Sequence, residues 1–300
     1  MGKIDRRKFL VQSVAAVGSA IGTGKLRADA VLPTATRPTT QPVLLASDVV
    51  VLGKSGLKAS RLAMGTGTVA GSEQRALGIE GMVKLFRYGL DRGVSWWDAA
   101  DMYKTHPHIR ATLKEIKRDR VTITTKTSAK NSAAVRADVE RFRKEMDTDY
   151  IDIVLLHCMK DAKWPEKMTE AMDVLCEAKE KGMVRAVGCS CHSLGALQAA
   201  ANEAWVDVIL ARVNPFAVMM DVKKPSEVER VLAVLQRAHR NGKGICAMKI
   251  LGEGRLKGSR IDTSLRFILN QPVVSGFTIG FSKPEQIDDI ARRIEQNQST

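Results

Sequence analysis

The chain has 300 residues, of which 44% are hydrophobic and 27% charged, and a formal net charge of +14. Those proportions exclude a collagen, a wholly disordered chain and a polytopic membrane protein, since no apolar run reaches the roughly 20 residues a spanning helix needs. The first 46 residues carry seven basic residues against two acidic ones, leaving +9 interspersed along helical stretches such as Lys223–Lys243. With no Lys/Arg block and no interleaved aromatics, this describes a solvated basic surface, and no nucleic-acid partner is expected.

The N-terminus reads as an address. A basic start at Arg6-Arg7-Lys8, a short apolar stretch over Val11–Gly22 and a small-residue exit at Ala28-Asp29-Ala30 predict a secretory signal. Adjacent Arg6 and Arg7, with Phe9 and Leu10, resemble the bacterial twin-arginine type, whose machinery exports folded proteins. Residues 1–30 are therefore expected to be a signal peptide cleaved after Ala30, with an uncleaved anchor as the alternative. The export machinery is the expected partner, and the location periplasmic or otherwise exported. The apolar segment is too short to span, so no stable membrane insertion is expected. Residues 31–46, with three Pro and four Thr, read as an extended linker.

From Ser47 onward the chain alternates. A hairpin is predicted at Val49–Leu52 and Lys58–Leu62, turning over Gly53–Gly56. Eight strand-like runs follow at Leu62–Gly67, Ser95–Ala100, Val121–Lys126, Ile151–His157, Arg185–Ser190, Val206–Val213, Gly244–Ile250 and Ser275–Gly280. Helix-period stretches lie between and after them, at Gln74–Arg92, His108–Arg118, Ala133–Met146, Glu166–Lys181, Leu194–Ala204, Ser226–Asn241, Thr263–Leu269 and Pro284–Ile294. Eight β–α units in this length predict a single-domain (β/α)8 TIM barrel over residues 47–300. A doubly wound sheet is the competitor, but the GxGxxG turn it would want after its first strand is absent.

In a barrel, function sits at the C-terminal ends of the strands. Those ends carry Asp98, Lys126, His157 and Ser190, with Tyr103 five residues beyond Asp98. Taken singly, each has a structural explanation as a cap, a loop end or a core residue; their common register points to a site.

At these residues the chain resembles the aldo-keto reductases. Gly93–Tyr103 (GVSWWDAADMY) is similar to that family's Asp–Tyr motif, Thr124-Thr125-Lys126 to its lysine strand and Asp152–His157 to its histidine strand. Arg185–Ser190, Asn214-Pro215 and Ser275–Gly280 with Lys283 and Gln286 resemble its cofactor-facing segments. The resemblance implies hydride transfer between NADP (NAD being possible) and a small carbonyl or alcohol substrate. Tyr103 would be the general acid/base, supported by Asp98, Lys126 and His157. A phenol titrates near 10, and an ammonium beside it is expected to favour the phenolate.

The resemblance further implies that Ser190, Cys191, Met248, Lys249, Gly280, Ser282, Lys283, Gln286 and Asp289 hold the cofactor. Here the chain departs from the pattern: Cys191 stands where Asn is frequent, Leu210 where Gln is, Met248 where a stacking aromatic is, and Asp289 where Asn is common. Lys283 suits a 2′-phosphate. Lys104-Thr105-His106-Pro107-His108 replaces an expected small Gly-containing turn. It reads as a surface loop, a charged pocket, or a metal pair with Asp101. No metal is expected, and the five cysteines read as reduced core residues. Two other readings stay open: a retired barrel acting as an exported accessory protein, and a metal or redox protein using Cys189, Cys191 and His192.

Overall fold

The computed structural model describes residues 43–297; the expected signal peptide and the linker up to residue 42 lie outside the described residues. Packing begins one residue earlier than the expected Ser47. Ala46 is buried, and its carbonyl accepts a hydrogen bond from Leu62 N at 3.0 Å. The predicted hairpin forms, β1 (Val49–Val51) pairing antiparallel with β2 (Lys58–Ser60). Leu52, Leu57 and Ala59 join the buried cluster inside the barrel, and Lys58 O accepts from Thr122 Oγ1 at 2.7 Å. The hairpin thus closes the end at which the strands start.

Eight parallel strands make the closed barrel: β3 (Leu62–Gly65), β4 (Trp96–Asp98), β5 (Thr122–Thr127), β6 (Ile151–Met159), β7 (Val184–Cys191), β8 (Val208–Arg212), β9 (Gly244–Met248) and β10 (Gly276–Gly280), with β10 pairing back onto β3. The helices are α1 (Ser72–Arg75), α2 (Gly78–Asp91), α3 (His106–Leu113), α4 (Ser132–Met146), α5 (Trp164–Lys167), α6 (Thr169–Glu180), α7 (Leu194–Asn202), α8 (Val228–Arg240), α9 (Ser259–Leu269) and α10 (Pro284–Gln296). Two predicted helices are divided. The first breaks ahead of Gly78, whose φ of 66° glycine adopts without strain. The other breaks at Met168, with φ −113°.

Strand periodicity of two sorts the core into two shells. Ala63, Trp96, Ile153, Leu155, Ala186, Val208, Leu210, Cys246 and Met248 fill the barrel. Their neighbours Trp97, Ile123, Val154, Leu156, Val187, Cys189, Ile209 and Ile245 face the helices. Both faces are buried, which is why the strands read as near-continuous apolar runs. The same parity decides which side chains reach the mouth.

Gly188 shows how tightly the strands approach, because a Cβ there would stand 1.9 Å from Val208 O on the neighbouring strand. Gly188→Ala should therefore cost about 3 kcal/mol through forced backbone displacement. Gly182→Ala, at φ 72° with open space around it, should cost only about 1 kcal/mol for its left-handed backbone. Urea unfolding midpoints compare the two, and equal losses would contradict this packing.

Candidate active site at the C-terminal mouth of the barrel

Lys126 lies on the inward parity of β5 and is fully buried. A buried ammonium is costly unless paired and hydrogen-bonded. Its Nζ donates to Asp98 Oδ1 at 2.5 Å and to Ala99 O at 2.7 Å. Asp98 ends β4, the next strand, and its Oδ2 accepts from Thr278 Oγ1 of β10 at 3.3 Å. Burial alone would depress the lysine's pKa, but the Asp98 carboxylate and the Tyr103 ring raise it, and Lys126 stays charged.

Tyr103 sits in the turn after β4. Its N–H donates to Ala100 O at 3.0 Å, and its carbonyl accepts from Arg75 Nη1 at 2.5 Å. A Cβ on Gly67 would stand 2.6 Å from the Tyr103 ring, so the loop after β3 packs onto it only because that residue has no side chain. Lys126 Nζ is 5.1 Å from the ring centroid. It favours the phenolate, as expected from the sequence, but is outweighed. Burial pushes the phenol above its ordinary value, and the lysine's opposing pull is partly offset by Asp98. The resting tyrosine is therefore a protonated donor.

His157, on the inward parity of β6, meets Tyr103 edge-on with ring centroids 5.7 Å apart at 87°. Its Nδ1 has no hydrogen-bond partner among the described residues. Burial, reinforced by the charges of Lys126, His192 and Lys249, pulls its pKa down to about 3, so the ring is neutral. All four expected catalytic side chains are thus brought together.

The expected cofactor residues divide. Ser190 faces inward on β7, and its Oγ accepts from Cys158 N at 2.8 Å, leaving its own proton to give. Met248 lines the barrel interior. Lys249, at φ 58°, is paired with Glu253. Gly280 lies against Thr68, where a Cβ would stand 2.0 Å from Oγ1. Ser282 and Lys283 precede α10, and both their N–H groups donate to Gln286 Oε1, at 2.8 and 3.1 Å. Gln286 therefore caps its own helix. Asp289 is occupied by Arg292 and Arg293. Cys191 stands apart from this group. It has the parity opposite to Ser190, is fully buried against the helical shell, and lies 3.7 Å from Cys189 Sγ.

Arg212, Asp221 and Gln74, not singled out from the sequence as site residues, complete the mouth together with His192 and Asn214. Arg212, two residues beyond inward-facing Leu210, donates from Nε to Asp221 Oδ1 at 2.8 Å and from Nη2 to His192 O at 2.7 Å. Its parity was the available signal. Asp221 Oδ2 is buried with no partner among the described residues. His192 Nε2 is 3.6 Å from Cys158 Sγ, and burial followed by Arg212 pulls its pKa down to about 4. Gln74, expected only as a helix start, bridges the loops after β3 and β10 by donating to Thr68 Oγ1 and Phe281 O, both at 3.1 Å. Asn214 knits its own loop to Lys249 O.

Most members of the suspected metal groups have other partners, while His108 Nδ1 is buried without one among the described residues. His106 lies 2.7 Å from both Glu145 Oε2 and Thr125 Oγ1, while Asp101 binds Arg141 and Lys104. His192 contacts Cys158 rather than Cys189 or Cys191. Among the described residues, no group of three or more His, Cys, Asp or Glu side chains is placed to hold a metal ion.

His157 and His192 titrate near 3 and 4 when folded and at about 6.5 when unfolded, so between those values the unfolded chain binds more protons. Their contribution to stability is complete above pH 6.5 and is lost as the pH falls towards 3. His157→Gln should flatten the acid limb by up to about 1.4 kcal/mol per pH unit. Urea unfolding at pH 4 to 7 measures this, and parallel limbs would contradict a neutral His157.

Residues 61–264 match the model of the aldo/keto reductase family. The aldo-keto reductase YhdN of Bacillus subtilis (strain 168) is 28% identical over 160 residues, covering 48% of this chain and 46% of that one. The chain spans about half the length of the curated relatives it matches. Among solved structures, the holo form of aldo-keto reductase AKR11C1 from Bacillus halodurans superposes with a TM-score of 0.69 at 17% identity, covering 84% of this chain and 92% of that one. An aldo-keto reductase from Klebsiella pneumoniae in complex with NADPH gives 0.65 at 18%, covering 82% and 89%. At these identities the structural likeness is one of fold.

Proposed function

The chain belongs to the aldo/keto reductase family, and on that premise we propose that it is an NADP-linked oxidoreductase interconverting a small aldehyde, ketone or sugar with its alcohol. The observation that carries this reading is the convergence of Tyr103, Lys126, Asp98 and His157 on one mouth. When bound, the dihydronicotinamide supplies the hydride. Tyr103 gives its Oη proton to the carbonyl oxygen as negative charge develops there. The charged Lys126, held by Asp98, stabilises the phenolate left behind. In the oxidative direction that phenolate takes the proton back. Neutral His157 has one ring N–H to donate to the substrate oxygen and thereby sets its approach.

The donor set suits the cofactor. Ser190 retains a hydroxyl proton for a carboxamide. The 13-residue α10 begins directly after the β10 loop, and its N-terminus favours phosphate. Gln286 occupies the Ser282 and Lys283 amides, so in this reading the Lys283 side chain, rather than those amides, meets a 2′-phosphate. That favours NADP over NAD, as does the NADPH held by the Klebsiella pneumoniae relative. The proposal includes export by the twin-arginine route, supported by Arg6-Arg7 and the Ala28-Asp29-Ala30 exit; a chain exported folded could take its nucleotide with it.

Two measurements follow from this reading. Tyr103→Phe should bind NADPH with unchanged affinity, read by the fluorescence of the nucleotide, while carbonyl reduction falls about 10²–10⁴-fold. Unchanged turnover would remove Tyr103 from the chemistry. Replacing Arg6 and Arg7 together with lysine should retain the full chain in the cytoplasm, and undiminished export would overturn the twin-arginine assignment.

A further inference from the structure

The unusual turn after Tyr103 is tied to the rest of the site through one guanidinium. Asp138, Arg141 and Glu145 lie on one face of α4, at i, i+3 and i+7. Arg141 Nη1 donates to Asp101 Oδ1 at 2.8 Å and to Glu145 Oε1 at 2.9 Å, and Nη2 donates to Asp138 Oδ1 at 2.7 Å. Asp101 belongs to the turn that presents Tyr103. The other two carboxylates lead back to β5. Asp138 Oδ2 accepts from Thr127 Oγ1 at 2.5 Å. Glu145 Oε2 meets His106 Nδ1 at 2.7 Å, and His106 Nε2 meets Thr125 Oγ1 at 2.7 Å. Thr125 and Thr127 flank Lys126 and point outward where it points inward.

We propose that Arg141 is a positioning residue, holding the Tyr103 turn in register with the strand that carries Lys126. This rests on the function proposed above. The turn needs such a hold. Lys104, next to Tyr103, has a left-handed φ of 55° in place of the glycine that would take it freely. The turn's own backbone contributes only the bonds from Tyr103 N to Ala100 O and from Lys104 N to Asp101 O. An isolated half-exposed ion pair contributes little, whereas one guanidinium shared by three carboxylates, two of them anchored to the same strand, fixes a geometry. Arg141 touches neither substrate nor cofactor in this assignment. It acts through the separation of the Tyr103 ring and Lys126 Nζ, now 5.1 Å from centroid to nitrogen. A misplacement of about 1 Å at a reacting group can cost about a hundredfold in rate.

The test compares the full chain with Arg141→Met, Arg141→Lys and Asp101→Asn, the last removing the charge of one arm while keeping an acceptor oxygen and leaving α4 bonded to β5. Hydrogen exchange over residues 99–105 reads the turn directly and needs no activity. Reduction of 4-nitrobenzaldehyde by NADPH reads the consequence. Arg141→Met and Asp101→Asn should speed exchange in that segment while the β5 and β6 amides are unchanged. They should lower kcat by about tenfold to a hundredfold, with KM and the NADPH Kd unmoved. Arg141→Lys should restore part of kcat. Exchange at the parent rate, or an unchanged kcat in a parent that turns over, overturns the clamp. A parent that reduces neither this probe nor any of a panel of aldehydes, ketones and sugars, or Tyr103→Phe reducing its substrate equally well, overturns the function on which the clamp rests, and the exchange result tells the two failures apart.

Discussion

A fully buried ammonium cannot be left without a counter-charge, and at Lys126 that requirement organises the upper half of the barrel. The partner, Asp98, must stand on the adjacent strand with the same inward parity, which fixes β4 beside β5. The second Asp98 oxygen reaches Thr278 on β10. Closure of the barrel through β10 and β3 therefore also completes the support of the lysine. The Ala99 carbonyl accepts a further hydrogen bond from the ammonium, drawing in the start of the turn that carries Tyr103. One charge pair thus links the strand ladder, the barrel seam and the Tyr103 phenol.

Around that pair the mouth is electrostatically sorted. The cation is held charged, the tyrosine is held protonated, and both nearby histidines are neutral. Arg212 and Lys249 are each matched with an acidic side chain, Asp221 and Glu253. A neutral hydrogen-bond donor beside a proton donor, both in low dielectric, suits a substrate oxygen on which negative charge develops, because little reorganisation is needed when it does.

Much of this was legible in the sequence because strands repeat every two residues and helices stop at recognisable residues. The eight runs, the hairpin and the four residues at the strand ends all came from pattern. Cys191 shows the limit of arguing from likeness: beside Ser190 in sequence, it points the opposite way on the strand, and parity alone would have said so. Parity would equally have promoted Arg212, two residues from Leu210. Other features were beyond reach. The direction of the Tyr103 shift depends on how far burial outweighs a nearby cation, which is a matter of packing. The ties from Arg141 to Asp101 and from Glu145 to His106 join residues about 40 apart, and no local spacing announces them.

The central claim is that this mouth transfers a hydride while Tyr103 delivers the proton. The most direct measurement is a single turnover of the purified protein with NADPH deuterated at C4, the alcohol product being examined by mass spectrometry. The account predicts one deuterium on the former carbonyl carbon with the parent chain, and the same labelled alcohol formed about 10²–10⁴-fold more slowly with Tyr103→Phe. An alcohol formed without the label, or no alcohol from a protein saturated with NADPH across a panel of aldehydes, ketones and sugars, would contradict it.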